Sequence, residues 1–394
     1  MRRTLLILAG CITLSATLAQ PAMATWSGST VSNFGDSDSQ TSRMLISPTG
    51  DAFVAWQSQG SDELYWAQKT PAGWQKTTVT GQNTFVACYT ADDAHMGPSA
   101  ALLPKGGAAI ASACESFVGG SETKFSQLKG STWTTTTVGY GPSSSTCSTS
   151  ATDVDLVVSP GGKPVIFTTD ECLGGVYGFF RTPSGWKSHW VLKGCQCGPF
   201  AYGAMSLAVD PGTGDIAMAM NGDVFGRDSM IFEEFDWRGK PLAGTFHSFA
   251  LGNGDAPYGE PSLAFTPTGT AYLAFQEGTP PGTDPSTAYS FLALSKGSAT
   301  GWHLRTKVDT SQQFIGGEPD LSLAGGSFKI AYDDETNKDL RFATSADATT
   351  WTLETLASSG NTGRFPSLAV SPTGVVGISF YRHQDTSLRA IIGP

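Results

Sequence analysis

A segment with the pattern of a β-hairpin recurs seven times along this chain, at intervals of about 50 residues. A clear copy is EPSLAFTPTGTAYLAFQE (260–277), in which two apolar stretches flank a Pro/Gly turn. The other copies begin at residues 42, 97, 153, 204, 318 and 365. Repeats of this length that contain apolar strands are typical of β-propeller blades. We therefore predict an all-β fold, a seven-bladed β-propeller of four-stranded antiparallel blades.

The fourth strand of each blade is predicted from a tryptophan-headed segment that follows the hairpin and a third strand. It reads GWQKTTV at 73–79 and GWHLRTKV at 301–308. The segment ATWSGSTV (24–31) precedes every hairpin, whereas the last repeat ends in SLRAIIGP without a tryptophan-headed segment. We predict that this N-terminal strand completes the last blade, so that the closed ring has no open sheet edge. The tryptophans at this repeat position are expected to fill the interfaces between blades: Trp26, Trp74, Trp133, Trp186, Trp302 and Trp351.

The first 24 residues have the pattern of an export signal. Met1-Arg2-Arg3 is basic, residues 5–19 are mostly apolar, and Ala22-Met23-Ala24 fits a small-x-small cleavage site. We predict a signal peptide at 1–24 and a propeller domain at 25–394, in a secreted or periplasmic protein. The alternative is a lipoprotein anchor at Cys11, although its apolar stretch is shorter. No later segment reaches the roughly 18 apolar residues of a membrane helix.

Charge and composition narrow the classes of partner. The net charge is −10, and only 15% of residues are charged. Lysines and arginines are scattered singly, which disfavours a nucleic-acid surface. We expect an extracellular glycan or protein ligand, and a monomer.

The cysteines predict disulfides outside the cytoplasm. Seven are present, and six remain once Cys11 leaves with the signal peptide. Two pairs, 26 and 25 positions apart, bracket equivalent parts of two repeats, so we predict the disulfides Cys88–Cys114 and Cys147–Cys172. Cys195 and Cys197 form either a local disulfide or two free thiols, since no second close pair suggests zinc.

Polar residues mark one face of the predicted ring. Loops that enter the innermost strand and loops that leave the second strand both lie around the mouth of the central channel. Acidic residues precede three innermost strands, and more follow second strands: Asp153, Glu260 and Glu318, then Asp170, Glu171, Glu277, Asp333 and Asp334. Such carboxylates suit general acid–base glycoside cleavage, the orientation of sugar hydroxyls, or calcium binding. The plainer alternative is a solvated rim that keeps the protein soluble.

The last repeat differs from the others because it offers basic and aromatic side chains. Tyr381, Arg382 and His383 follow its second strand, and a Tyr/His pair suits β-elimination from a uronic acid whose carboxylate an arginine neutralises. The predicted catalytic residues are His383, Tyr381, Glu260 and Glu318. The predicted substrate-binding residues are Arg364, Arg382, Asp153, Asp170, Glu277, Asp333 and His95. No cofactor is predicted, and calcium stays an open alternative.

Two short motifs resemble those of a known family. SADATTW (345–351) resembles the Asp box S-x-D-x-G-x-x-W through Ser345, Asp347 and Trp351, although it is one residue shorter and has Thr349 near the glycine position. Arg364-Phe365-Pro366 resembles part of the F-R-I-P motif. The chain thus resembles sialidase/BNR-type propellers, in which the box is structural and lies away from the active site.

The predicted function is an exported propeller that acts on or binds carbohydrate through one site at the channel mouth, as a glycoside hydrolase or polysaccharide lyase. The alternative is a non-catalytic protein-interaction scaffold or a lectin-like protein. Little polar sequence repeats from blade to blade, which argues against several equal sugar sites.

Overall fold

The computed structural model describes residues 25–33, 41–57, 63–80, 97–115, 121–140, 151–170, 175–193, 204–223, 228–250, 256–279, 286–298 and 301–394. Several predictions made from the sequence lie outside the described residues: the signal peptide 1–24 with Cys11, the loop residues His95 and Glu171, and Cys88, Cys147, Cys172, Cys195 and Cys197. Cys114 and Asp170 lie in described strands, but their side chains fall outside the description.

The described residues contain 28 strands in seven four-stranded antiparallel sheets, which confirms the predicted propeller. Each sheet is one blade, and the blades are numbered in chain order. Within each blade, the strands are named from the innermost to the outermost.

Blade 1 contains β2 (Ser42–Ile46), β3 (Ala52–Gln57), β4 (Leu64–Thr70) and β5 (Gly73–Thr80). Blade 2 contains β6 (Ser99–Leu102), β7 (Ala108–Glu115), β8 (Ser121–Lys129) and β9 (Thr132–Tyr140). Blade 3 contains β10 (Ala151–Val158), β11 (Pro164–Asp170), β12 (Gly175–Thr182) and β13 (Gly185–Leu192). Blade 4 contains β14 (Met205–Val209), β15 (Ile216–Asp223), β16 (Asp228–Phe235) and β17 (His247–Ala250).

Blade 5 contains β18 (Ala256–Phe265), β19 (Ala271–Gly278), β20 (Ser290–Ser298) and β21 (Gly301–Asp309). Blade 6 contains β22 (Gly317–Ser322), β23 (Phe328–Asp334), β24 (Asp339–Ser345) and β25 (Thr352–Ala357). Blade 7 contains β26 (Thr362–Val370), β27 (Val376–Arg382), β28 (Ser387–Gly393) and β1 (Ser27–Asn33). The helical part of the described chain consists of two 3-10 turns, Ala324–Gly326 and His383–Asp385, and no helix there has the length and apolarity to cross a membrane.

The ring closes as the tryptophan-headed segment predicts. β1 lies antiparallel to β28, with Ser27 opposite Ile392 and Asn33 opposite Ser387. The first and last described strands of the chain therefore share blade 7, and β1 covers the outer edge of β28.

Apolar side chains pack between the blades, because both faces of each sheet are covered by a neighbouring sheet. Seven clusters of buried residues each draw on two adjacent blades, one cluster at every seam of the ring. The repeat tryptophans lie at these seams. Trp133 of blade 2 packs on Trp66 of blade 1, and Trp302 of blade 5 packs on Phe232 of blade 4, with ring centroids 5.5 and 5.0 Å apart.

A ring of polar links joins the innermost strands around the channel. In six blades, a serine or aspartate of the innermost strand accepts a hydrogen bond from a backbone N–H in the next blade. For example, Ser262 Oγ accepts from Leu321 N at 2.9 Å, and Asp320 Oδ2 accepts from Leu368 N at 2.7 Å. The acceptors are Ser99, Asp155, Ser206, Ser262, Asp320 and Ser367. Arg43 occupies this position in blade 1, and arginine has no acceptor atom, so its side chain cannot form the link between blades 1 and 2.

Candidate functional site

The three carboxylates predicted at the start of innermost strands lie in β-bulges. The register of the first strand pair is interrupted between Ala151 and Val154 in blade 3, with matching interruptions at 258–262 in blade 5 and 317–320 in blade 6. A bulge breaks the alternation of side chains and turns them away from the regular ladder. Asp153, Glu260 and Glu318 consequently point into the channel, where all three line one cavity.

This channel cavity has one cationic side chain, Arg43, among several carboxyl groups. Its Nη1 lies 3.8 Å from Oδ2 of Asp320. Burial would lower the pKa of Arg43, but nearby carboxylates, Asp320 foremost, outweigh burial and raise it. Burial also raises the pKa of Asp153 well above its usual range, and the negative charge of Glu260 adds to that effect. Burial thus favours the protonated form of Asp153 in a channel that also holds the Arg43 guanidinium.

A second cavity of about 380 Å³ opens at the mouth of the ring, between blades 5, 6 and 7. We call it the mouth cavity, and its lining residues are Gln276, Gly317, Glu318, Asp333, Glu335, Lys338, Asn361 and Arg364. These residues lie at the end of a second strand, at the start of an innermost strand, or in the turn between a second and a third strand. The sequence predicts that these segments surround the mouth of the channel. The cavity therefore combines acidic, basic and amide side chains.

Asp333 is a buried carboxyl group of the mouth cavity. Its residue is only 6% exposed, and its Oδ1 is buried without a hydrogen-bond partner among the described residues. Burial foremost, and then the charge of Glu335, raise the pKa of Asp333, Arg364 opposes both, and the resulting pKa is about 8. Asp333 is consequently a neutral acid at pH 7 and has a proton to donate.

Glu318 belongs to both cavities. Its Oε2 accepts a hydrogen bond of 2.6 Å from the backbone N–H of Phe365, which fixes the carboxyl group in the wall between the channel and the mouth. Burial raises the pKa of Glu318 well above its usual range, and the charges of Glu260 and Asp333 raise it further.

Glu335 faces the same cavity and is held by a neighbouring amide. Gln276 Nε2 donates to Glu335 Oε1 at 2.6 Å and to Ser290 Oγ at 2.9 Å. A Cβ atom on Gly317 would lie 2.7 Å from Glu335 Oε1, so a larger residue at 317 would displace this carboxyl group. The cavity thus holds a second carboxylate in a defined place beside the neutral Asp333.

A buried network anchors the turn that carries Glu335 and Lys338. Asp334 accepts hydrogen bonds from Asn337 N at 3.0 Å and Asn337 Nδ2 at 2.9 Å. Arg341 lies between Asp334 of blade 6 and Asp309 of blade 5, with N–O distances of 3.7 and 3.3 Å. Asp309 also accepts from Tyr332 Oη at 2.7 Å. These contacts hold the turn against blade 5.

Left-handed backbone is concentrated at the two cavities. Six described residues other than glycine have φ between +45° and +62°: Glu318, Lys338, Ala348, Asn361, Phe365 and Thr386. Glu318, Lys338 and Asn361 line the mouth cavity, and Phe365 lines the channel. Asparagine tolerates this conformation, but glutamate, lysine and phenylalanine do not favour it. Strain of this kind is found where function requires a particular geometry.

The structure brings part of the predicted site together. Asp333, Arg364 and Glu318 line the mouth cavity, while Glu260 and Asp153 line the channel. Asp170 and His95 were also predicted to bind substrate, but neither side chain lies within the described residues.

Four other predicted residues are absent from the lining of both cavities. Tyr381 is buried in the apolar seam between blades 7 and 1. Arg382 instead donates to Gln384 Oε1 at 2.9 Å and lies 3.6 Å from Asp385. Buried Glu277 pairs with Arg305 at 2.6 Å.

His383 is the fourth of these residues. Its side chain is exposed in a 3-10 turn, with its ring centroid 6.3 Å from that of Tyr381. Its backbone N–H donates to the carbonyl of Asn361 at 2.9 Å, so the turn supports a residue of the mouth cavity. The predicted Tyr/His pair is therefore separated from the cavity, although its backbone borders it.

Sequence reasoning missed four polar residues of the mouth cavity, Gln276, Glu335, Lys338 and Asn361. It also missed several polar residues of the channel, among them Arg43, Asp155 and Asp320. Glu335 and Lys338 lie in the run DDETNKD (333–339), whose polar character was visible without revealing which side chains face inward. Arg43 could have been found by aligning the seven innermost strands, since the other six repeats all have a serine or an aspartate at this position. Among the described residues, no group of three or more His, Cys, Asp and Glu side chains is arranged to hold a metal ion.

Comparisons with known proteins show the fold. The sequence matches no protein-family model and no curated protein. A solved PL25 ulvan lyase, bound to -[GlcA(1-4)Rha3S]-, has a TM-score of 0.64 at 12% identity, over 92% of this chain and 95% of that chain. The polysaccharide lyase Uly1 has a TM-score of 0.56 at 11% identity, over 96% and 94% of the two chains. A protein of unknown function from Dyadobacter fermentans has a TM-score of 0.53 at 11% identity, over 93% and 97%.

Proposed function

We propose that this protein is an exported, carbohydrate-active propeller that binds an acidic polysaccharide in the mouth cavity and cleaves its chain there. The observation that carries the proposal is Asp333, a buried acid with an oxygen that no described residue contacts through a hydrogen bond. It lines one cavity together with the cations Lys338 and Arg364. A proton donor beside two cations is the combination that a chain with carboxylate or sulfate groups requires.

The side chains of the mouth cavity have different roles in the proposed cleavage reaction. Lys338 and Arg364 bind the acidic group of the sugar, and the amides of Gln276 and Asn361 bind hydroxyl groups. When the glycosidic C–O bond breaks, the proton of Asp333 passes to the leaving oxygen, so that no alkoxide is released. Glu335, the second carboxylate, accepts the proton that the substrate loses in elimination or that a water molecule loses in hydrolysis.

Elimination is the better supported of the two reactions. The propellers with TM-scores of 0.64 and 0.56 are polysaccharide lyases, and the first is bound to a glucuronic-acid-containing oligosaccharide. In the proposed reaction Arg364 neutralises a uronate carboxylate, which acidifies the neighbouring C–H bond. A relationship to sialidase/BNR-type propellers stays a prediction, supported by the turn in which Asp347 Oδ1 accepts from Thr349 N and Thr350 N, both at 2.8 Å.

The test is an assay of the mature chain, residues 25–394, against a panel of uronate-bearing, sulfated and neutral polysaccharides. We expect unsaturated, ultraviolet-absorbing products from uronate-bearing chains only. Asp333→Asn should retain polysaccharide binding and lose turnover by roughly 10²–10⁴-fold, because the donor is gone. Asp385→Asn is the matched control, since Asp385 lies on the same rim outside the cavity and should change neither.

Other outcomes decide between the alternatives. New reducing ends without unsaturation would assign hydrolysis in place of elimination. Binding that is unaffected by Asp333→Asn, with no product from any polysaccharide, would establish a lectin-like protein. The absence of binding to every polysaccharide would overturn the proposal in favour of a protein-interaction scaffold.

A further inference from the structure

The proposed reaction leaves Asp333 without its proton after each turnover. Only 6% of this residue is exposed, so bulk water has little access to it. A polysaccharide bound in the mouth cavity covers the same opening, because Asp333, Lys338 and Arg364 line one space. A proton that arrives from the channel side would not have to wait for the product to leave.

One residue connects the two spaces. Among the described residues that line the channel cavity and the mouth cavity, Glu318 is the one that lines both. The backbone N–H of Phe365 fixes one of its carboxyl oxygens at 2.6 Å. Both residues have left-handed backbone, with φ of 48° and 51°, and each precedes a proline, where a residue favours extended backbone. The chain therefore adopts an unfavourable conformation to hold this carboxyl group between the cavities.

We propose that Glu318 is a proton relay that returns a proton from the channel to Asp333, an inference that rests on the proposed cleavage reaction. The O–H of the Glu318 carboxyl group gives its proton to the Asp333 carboxylate. The Glu318 carboxylate then takes a proton from water in the channel. Glu335 releases to solvent the proton that it accepted, so the protein ends each cycle as it began.

The charges around Glu318 suit this exchange. Glu260 of β18 and Asp333 of β23 face it from two neighbouring elements, and their negative charges raise its pKa. Arg364 of β26 opposes them and keeps the ionised form accessible. Burial and these charges therefore favour the protonated form of Glu318, while Arg364 favours the ionised form, and a relay passes through both.

The test compares Glu318→Gln with the wild-type protein on the most active uronate-bearing polysaccharide. Glutamine keeps an oxygen that can accept from Phe365 N–H but has no proton to transfer. We expect unchanged polysaccharide binding, a kcat lowered by about tenfold or more, and a larger solvent deuterium isotope effect. Formic or acetic acid added in millimolar amounts should restore part of the lost rate. Asp155→Asn is the control, since Asp155 lines the channel but not the mouth cavity.

A second variant separates the relay from folding. Glu318→Gly relieves the left-handed backbone, which offsets part of the loss of the acceptor for Phe365 N–H, so it should still fold. It should show the same slow turnover and the same rescue by small acids. An unchanged kcat in both variants, or a loss that small acids do not restore, would overturn the relay and leave the proposed function standing. The absence of turnover in the wild-type protein would overturn both.

Discussion

Asp333 keeps its proton because burial removes the water that would solvate its charge, and Glu335 adds a second negative charge nearby. In the unfolded chain its pKa returns to 3.8, whereas in the fold it is about 8. Between these values folding takes up a proton. The stability that this group contributes is thus fully present below pH 4 and is lost as the pH rises through 8.

Asp333→Asn should remove this pH dependence. We expect the free energy of unfolding at pH 8 to exceed that of the wild-type protein by about 2 kcal/mol or more, with little difference at pH 4. Chemical denaturation at both pH values measures the free energy of unfolding. Asp385→Asn, on the exposed rim, should give no gain in the free energy of unfolding at pH 8, because burial is outweighed by hydrogen bonds from Ser387 and Arg389, which lower the pKa of Asp385. If Asp333→Asn changed the free energy of unfolding equally at both pH values, the carboxyl group would be ionised in the fold.

The two charged neighbours of Asp333 should move the pH–rate profile in opposite directions. Glu335 raises the pKa of Asp333 and Arg364 lowers it. The alkaline limb, where the donor form is lost, should therefore move to lower pH in Glu335→Gln and to higher pH in Arg364→Gln. The residual activity of each variant, followed from pH 5 to 10, gives the two midpoints. Movement of both limbs in the same direction would exclude Asp333 as the titrating donor.

At Lys338 the proposed function and the stability of the fold oppose each other. Its φ of 62° disfavours a residue with a Cβ atom, and glycine accepts that conformation freely. Lys338→Gly should raise the free energy of unfolding by about 1 kcal/mol and weaken binding of acidic polysaccharide, because a cation leaves the mouth cavity.

Ala348 is the matched control for that substitution, since it has the same φ and lies in the outer turn of blade 6. Ala348→Gly should stabilise the protein similarly without any change in binding. Equal binding by both variants would remove Lys338 from the site.

At the scale of elements, the innermost strands are joined by side chains as well as by apolar packing. Ser262 accepts from Leu321 N–H and donates to Asp320 Oδ1 at 3.2 Å. Ser262→Ala leaves the N–H without this acceptor and should lower the free energy of unfolding by about 1 kcal/mol, as measured by urea denaturation. Ser322→Ala tests a hydroxyl whose described bond is local, and it should have a smaller effect.

The strands were predictable because their signal repeats. Seven copies of apolar strand, turn and apolar strand determine the blades, and the tryptophan-headed segment determines how the ring closes. The bulges were not visible, because a pattern such as EPSL reads as regular strand whether or not its first residues pair. The inward aim of Glu260 and Glu318 follows from those bulges. The site residues Lys338 and Asn361 depend on turn conformations that residue type disfavours or merely tolerates, so their placement required the structure.

At the scale of the whole molecule, the ring has one seam that differs from the rest. Arg43 cannot accept a hydrogen bond from blade 2, where the equivalent amide is that of Ala100. We expect the Ala100 amide to exchange with deuterium faster than those of Leu156, Leu207 and Leu263, which are held by the preceding blade. Hydrogen exchange followed by NMR measures all four. Equal exchange rates for the four amides would show that the arginine at this seam has no effect on opening of the ring.

The left-handed residues around the mouth also bear on how this protein would change under artificial selection. Libraries screened only for survival of heating should accumulate glycine at position 338, since that substitution relieves backbone strain. The selected variants would have a more stable fold and a mouth cavity that lacks the Lys338 side chain. A screen intended to yield a durable catalyst must therefore score heat resistance and polysaccharide turnover together, or it will select against the site that it aims to preserve.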